Sequence, residues 1–579
     1  MRGDRFSPMA TESRSVSDQL SGGLRTALAR AGLPPLGDSA WEVPREETHG
    51  DYASNAAMVL AKLTRRPPRE VAELIVRHFP SLPAVGKLDV AGPGFINVSL
   101  APDWCRAALL ELLLAGSAFG KGEQGCGRRI RLEFVSANPT GPLVIVNARA
   151  AAVGDALARV LRSQGSEVTS EFYVNDAGNQ FQALARSFEA RVRQALGEDV
   201  ALPENGYPGE YLVDLAEDYL RSNSQITRGD LGRIRASGGL GGRSWVDELG
   251  HYAAARIVEG QKKVLHAYGV DIDVWASEHS DVREKHLPEQ ALRELEARGL
   301  TYEQDGALWF RASQFGDDKD RVLRKSDGEL TYFAVDIAYH HYVKFATADR
   351  VVDLIGPDHH GYVTRMRAAM QALGHAPEAF DVLIVQLVTL LRDGQPVRMS
   401  KRRGEFVLME ELVEEVGRDA ARFTFLTRRH DSPLEFDLAV ATRQSADNPV
   451  YYVQYAHARI MSIFRQAALQ GLIAEPDWRR IDWRAADLSR LMLPEELSLI
   501  KRLLQLPNLV AGAARALEPH RIAYWLGELA GAFHPYYKVN RVIGDDAGLT
   551  LARLALCAAV GQVVANGLEL LGLSAPESM

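Results

Sequence analysis

The feature that most constrains this chain is a change of period between residues 129 and 174. Residues 129–135 alternate polar and apolar in the manner of a strand, and Asn138-Pro139-Thr140-Gly141-Pro142 breaks the run. An alanine-rich helical pattern follows at 149–163, and a second strand-like run at 168–174. A strand, a short loop, a helix and another strand close as a crossover in a parallel sheet. Strand patterns resume at 351–356 and 382–388, so the sheet continues there. Between them, residues 180–320 read as a mostly helical insertion, with a glycine-rich loop at 236–242.

The rest of the chain reads as separate units, as expected for 579 residues, too many for one hydrophobic core. Residues 1–16 read as a disordered leader without the apolar segment of a secretory signal. Residues 17–122 form a small α+β pattern, with helices at 19–31, 68–77 and 102–114 and strands at 87–90 and 95–98. The parallel-sheet domain is then bounded at 123–445. Residues 446–579 carry helical patterns at 450–470, 494–504, 522–536 and 549–570, an all-α bundle.

The composition, 46% hydrophobic and 25% charged, is that of a soluble globular protein, and no apolar run is read as a membrane span. Cys105, Cys126 and Cys557 lie far apart, which argues against a disulfide framework or a zinc site and suits a reducing cytoplasm. The net charge of −8 gives no overall attraction for nucleic acid, so any such partner needs a local basic face. No dimer seam is recognisable, and a monomer is the expectation.

Two loops have the chemistry of a polyphosphate site. The first, 137–147, runs from a strand end to a helix start, where backbone N–H groups and the helix dipole favour an anion. The second, 399–403, is Met399-Ser400-Lys401-Arg402-Arg403, a cation-rich turn beyond an apolar strand. Lys401 offers an ammonium for charge developing on a leaving pyrophosphate, and Ser400 a hydroxyl.

Together these loops resemble the paired ATP motifs of class I aminoacyl-tRNA synthetases. Within that class the chain is similar to the arginyl-tRNA synthetases. The resemblance is carried by FVSANPTGPL (134–143), YVNDAGNQ (173–180), TYFAVDIAYH (331–340), GPDHHGY (356–362), VRMSKRRGEFV (397–407), NPVYYVQYAHAR (448–459) and SAPESM (574–579). It implies a Rossmann-type catalytic core with a helical insertion, an N-terminal α+β domain that contacts tRNA, and a C-terminal anticodon-binding bundle. The implied reaction ligates L-arginine to its tRNA through an arginyl-adenylate, with ATP and its accompanying Mg²⁺ and no dedicated protein metal site. The resemblance further implies that tRNA binds before arginine is activated.

The resemblance also assigns residues. Glu133 and Asn138 hold the α-amino end of arginine, and Tyr332 and Asp336 read its guanidinium. That pair is four apart and shares one helix face, and a guanidinium calls for planar carboxylates. Ala137, Pro139, Thr140, Gly141, Pro142, Val144, Val146, Asn147, Met399, Ser400 and Lys401 line ATP. His359 and His360, just past an apolar strand, face the nucleotide, and His360 also faces arginine. From their place at the end of another strand, and not from the resemblance, Asn175, Asp176 and Gln180 read as a supporting polar shell. On the RNA side, Phe95 and Asn97 grip the outer corner of tRNA, while Tyr452, Tyr455, Arg459 and the terminal Met579 meet the anticodon loop. Aromatic and arginine side chains at helical spacing suit splayed, unstacked bases.

The chain departs from the family at one place. Where the first motif reads His-Ile-Gly-His, this chain has Val144-Ile145-Val146-Asn147. Both imidazoles and the glycine are gone, and Asn147 alone keeps a side-chain donor. Two readings follow: an active ligase in which Asn147, Lys401, Arg149 and backbone N–H groups serve the phosphates, or an impaired paralogue that binds tRNA or arginine as a regulator. The retained arginine pocket, Met-Ser-Lys loop and RNA-facing ends favour the first. A nucleotidyltransferase without an RNA partner fits the helical C-terminal domain less well.

Overall fold

Five parallel strands form the centre of the computed structural model: β1 (Arg129–Glu133), β2 (Glu167–Val174), β3 (Val274–Ser277), β4 (Arg350–Ile355) and β5 (Phe380–Ile384), in the order β5-β4-β1-β2-β3. The described residues are 15–37, 41–44, 46–230, 244–397 and 407–579. The expected leader up to residue 14 and the glycine-rich loop at 236–242 lie outside them. Residues 15 and 16, also assigned to the leader, open a helix: Ser15 caps Val16–Ala31, its hydroxyl accepting the Asp18 N–H at 3.2 Å.

Helix α1 (Ile145–Ser163) makes the first crossover and packs on the sheet through its alanines. Gly154 permits this approach, because a Cβ there would lie 2.2 Å from the Phe134 ring. Next come α2 (Gly178–Ala195), α3 (Tyr211–Ser222) and α4 (Trp245–Ala267), which pack on one another around Phe181, Leu212 and Trp245. The stretch expected to be helical to residue 320 is more mixed. It contains β3, a strand of the main sheet, and two strands, Thr301–Gln304 and Ala307–Phe310, of a three-stranded antiparallel meander completed just beyond it by Arg321–Arg324. Their four-residue lengths leave too few periods to stand out from flanking helices. Helix α5 (Tyr332–Tyr339) then leads to β4.

The strand expected at 382–388 divides. β5 ends at Ile384, and Val388–Arg392 joins a separate small sheet, parallel to Leu434–Asp437 and antiparallel to Gln395–Pro396. The break falls where Gln386 turns its N–H to the His430 carbonyl at 2.8 Å.

The N-terminal domain is a three-stranded antiparallel sheet with Phe95–Leu100 central. Ile96, Val98 and Leu100 point into its core, while Phe95 and Asn97 share the outer face. The C-terminal bundle contains α6 (Pro449–Leu469) and α7 (Ala547–Leu570). Contrary to the expectation from sequence, α7 is long and apolar enough to cross a membrane. Its residues from Leu554 to Val564 are all buried, surrounded by protein on every face. The domains interlock through buried polar contacts. Asn566 on α7 donates to the Gly116 and Phe119 carbonyls at 2.9 and 3.0 Å, and Lys501 pairs with Asp51 at 2.9 Å.

Candidate active site

The chain leaves β1 towards β2 on one side and β4 towards β5 on the other. The carboxyl ends of β1 and β4 therefore flank the crevice where doubly wound sheets bind ligands. Glu133 is the last residue of β1 and stands opposite Asp353 of β4. Just beyond it, Val135 and Ser136 take φ of 73° and 35°. A β-branched residue there stores roughly 1–3 kcal/mol of strain, which the surrounding structure must hold. The Ser136 hydroxyl accepts the Tyr173 N–H at 3.0 Å and locks the turn to β2.

That turn begins the first loop. Helices of the insertion hold the loop by its backbone: the Gln261 amide donates to the carbonyls of Asn138 and Gly141 at 3.3 and 3.0 Å, and the Tyr211 hydroxyl donates to that of Thr140. Asn138 and Pro142 are exposed, Pro139 is buried, and Ala137, Thr140 and Gly141 lie between. At the start of α1, Val144 is extended and half-buried, and its N–H donates to the Asn147 side-chain oxygen at 2.9 Å. This is one half of a capping box, and it begins the helix a turn earlier than the alanine pattern predicts. Val146 is half-buried in the first turn.

The start of α1 is bonded to residues 407–409. Val144 bridges Leu408, Ile145 donates to the Val407 carbonyl at 3.1 Å, and Met409 donates to that of Leu143 at 2.9 Å. Val397 in turn donates to Leu390 at 3.0 Å. Residues 398–406, with Met399, Ser400 and Lys401, lie outside the described residues; the chain that follows them, 407–409, is fixed beside the first loop, and Val397 before them is held on the small sheet. His359 and His360 end the short turn Pro357–His359 and begin the helix His360–Ala372, directly after β4. Only their backbones are described.

Arg149 requires a correction. It is fully buried and donates to four backbone carbonyls, those of Gln386, Leu387, Arg429 and Ser432, at 2.8–3.4 Å. Its guanidinium stitches α1 to the segment after β5 and to the chain before Leu434, so it is not available to phosphate.

The arginine-side residues converge. Thr331 caps α5 by accepting the Ala334 N–H, and Tyr332 and Asp336 then share one face. Tyr332 is half exposed, with its hydroxyl against Gly178. Asp176 accepts from the Ser277 hydroxyl and the His279 N–H at 2.7 and 2.9 Å. Asn175, with its amide turned to satisfy both ends, donates to Glu278 at 3.2 Å. Gln180 is exposed on the first turn of α2. The Asp336 carboxyl is pushed up to about 7, mainly by burial; His340 opposes the shift, and the carboxylates of Glu278 and Glu133 add to it.

Glu278 was not singled out from sequence. It is 2% exposed, accepts from the Tyr173 hydroxyl at 2.9 Å and pairs with Arg283 at 2.6 Å. Its position as the first residue beyond β3 would have revealed it, had β3 been recognised as a core strand. Beneath the pocket, the fully buried Lys344 lies 2.5 Å from Glu133 and 2.6 Å from Asp353. Glu171 pairs with Arg131 and accepts from the Tyr339 hydroxyl.

Comparison with known proteins decides the lineage. Residues 18–100 match the arginyl tRNA synthetase N terminal domain family. Residues 109–435 match the class I (R) tRNA synthetase catalytic domain family, and 453–579 the DALR anticodon binding domain family. An arginine–tRNA ligase of Nitratidesulfovibrio vulgaris is 47% identical over 97% of this chain and 99% of its own length. This chain belongs to the arginyl-tRNA synthetase family. A second arginine–tRNA ligase, from Desulforudis audaxviator, is 47% identical over 94% of each chain. The arginyl-tRNA synthetase of Thermus thermophilus shares the fold, with a TM-score of 0.76 at 24% identity over 97% of this chain and 100% of that one.

In this synthetase the α6 face expected to meet RNA is a half-buried aromatic cluster. The Arg459 guanidinium lies over the rings of Tyr455 and Tyr537 at 5.0 and 5.3 Å and donates to the Tyr455 hydroxyl. Tyr452 packs against His534 at 4.6 Å. Val453, Ala456, Ile460 and Phe464 form the buried face, as the sequence predicts. A cavity of about 500 Å³ includes Tyr537, Lys538 and Arg541 in its lining. The C-terminal tail docks on α6: Gln454 donates to the Ser574 carbonyl, and Arg465 to that of Glu577. Met579 is half exposed at its end.

Proposed function

We propose that this arginine–tRNA ligase binds its amino acid between β1 and α5 and its ATP between the loop at 137–147 and the Met399–Arg403 loop. The observation that carries this reading is the convergence of Glu133, Asp336 and Glu278 beside a loop bonded to residues 407–409. Glu133 and Asn138 take the α-ammonium end. Tyr332, Asp336 and Glu278 take the guanidinium, whose fork matches paired carboxylates.

ATP lies along residues 137–147, with the pyrophosphate towards Lys401 and Ser400 and with His359 and His360 at the pocket mouth. The arginine carboxylate attacks the α-phosphorus and pyrophosphate leaves; a terminal ribose hydroxyl of tRNA then attacks the arginyl carbonyl of the adenylate, and AMP leaves. The protein's part is alignment and charge stabilisation. Asn147 supplies an amide donor at the α1 start, in place of the family's second histidine. Mg²⁺ enters on the phosphates of ATP.

Phe95 and Asn97 on the outer face of the N-terminal sheet, and Tyr452, Tyr455, Arg459 and Met579 on the C-terminal domain, contact tRNA. The protein acts as a cytoplasmic monomer. The deciding assay is ATP–pyrophosphate exchange with arginine and cognate tRNA. Exchange that requires arginine supports the reading, whereas tRNA binding without exchange supports the regulator alternative.

A further inference from the structure

The pocket floor carries a charge pattern that the residue assignments above do not use. Five carboxylates cluster there: Glu133, Glu171, Glu278, Asp336 and Asp353. Arg131 pairs with Glu171, and Arg283 with Glu278. The third cation, Lys344, is shared between Glu133 and Asp353. With every carboxyl ionised, two negative charges are left over, matching the two cationic groups of free arginine. Lys344 takes Oε2 of Glu133, and Oε1 has no hydrogen-bond partner among the described residues.

We propose that Lys344 is the positioning residue of the arginine pocket: its buried ammonium fixes Glu133 as a carboxylate with its second oxygen available to the substrate α-ammonium. The proposal rests on the reading that Glu133 holds that ammonium.

The geometry is well defined. Lys344 lies on the π-helical turn His340–Lys344 that continues α5, so the helix carrying Asp336 also carries the cation that holds Glu133. His340 on the same turn bonds the Asp336 carbonyl and the Asp353 carboxylate, each at 2.7 Å, and stands 3.2 Å from Lys344. A carboxylate in such a site is otherwise driven towards its neutral form. Burial raises Glu133, Lys344 opposes that most strongly, and Asp353 and Glu171 raise it further. Asp336 faces the same cluster from α5, and the Tyr173, Tyr339 and Tyr362 hydroxyls that also face it are held well above 10 and stay neutral. Without the ammonium, burial, Asp353 and Glu171 all push Glu133 towards the neutral acid, which cannot pair with the substrate.

The test is arginine-dependent exchange by the full-length protein with tRNA, from about pH 6.5 to about pH 9. Lys344→Gln is expected to raise the arginine KM roughly tenfold or more at neutral pH, with recovery as pH rises, while kcat and the ATP KM stay within about threefold. Glu133→Gln is expected to raise the arginine KM at every pH, and adding Lys344→Gln to it should cost little more. An unchanged arginine KM in Lys344→Gln, or a rise without recovery at high pH, overturns the proposal. An unchanged KM in Glu133→Gln overturns the Glu133 reading along with it. Should Lys344→Gln not fold, Lys344→Arg carries the test. Its retained charge should keep the arginine KM within about threefold, and a tenfold rise in the folded variant overturns the proposal.

Discussion

The side-chain oxygen of Asn147 accepts the backbone N–H of Val144 at 2.9 Å. One half of this amide therefore starts helix α1, and the other half, its NH₂ group, is the donor assigned to ATP. Aspartate keeps the acceptor and loses the donor, so the two roles separate. Asn147→Ala should lower stability by about 1 kcal/mol, read from the denaturant midpoint. Asn147→Asp should keep its stability yet lose about tenfold or more in exchange rate, because it places a negative charge where a donor is needed. Equal activity in the aspartate variant would remove Asn147 from the phosphate site.

Restoring the family pattern should help the reaction. Val144→His with Val146→Gly returns an imidazole and a smooth backbone to the first loop. We expect kcat/KM for ATP to rise by about tenfold, against a stability loss of up to about 1 kcal/mol from glycine in the first helical turn. A double variant with unchanged ATP kinetics would mean that ATP does not contact this turn.

Asp336 gives the wild-type enzyme a pH signature. The guanidinium binds the ionised carboxylate, and burial among Glu278 and Glu133 pushes this group up to about 7. Arginine kcat/KM should therefore fall as pH drops below about 7 and level off above it. Asp336→Ala should abolish arginine use and leave ATP binding in place. A wild-type profile flat down to pH about 5.5 would contradict this assignment.

What the sequence made legible follows from length and period. The nineteen-residue α1, the long bundle helices and the strand–loop–helix start of the sheet were readable because each spans several turns or alternations. β3 was missed because its four residues sit between helices, and Glu278 was missed with it. The role of Arg149 was misread because a basic residue in the first turn of a phosphate-site helix has the right chemistry. Only the fold shows that the chain around Gln386 and Arg429 lies close enough to claim it. Helix α7 shows the converse: its apolar length is explained by burial on all sides within the bundle.

Arg149 itself should behave as a structural residue. Arg149→Met strands the Gln386 and Ser432 carbonyls and weakens the bonding of those of Leu387 and Arg429, and the expected loss is about 2–4 kcal/mol, measured by denaturant unfolding. The ATP KM of the fraction that remains folded should be unchanged. A large rise in ATP KM at wild-type stability would return Arg149 to the phosphate site.

An arginyl-tRNA synthetase lacking both histidines of its first ATP motif is expected still to activate arginine. The most direct measurement is ATP–pyrophosphate exchange by the wild-type protein with arginine and cognate tRNA, beside Lys401→Ala. Arginine-dependent exchange is expected, falling by about a hundredfold or more in the Lys401 variant. No exchange in the wild type, with tRNA and arginine both bound, would contradict this expectation.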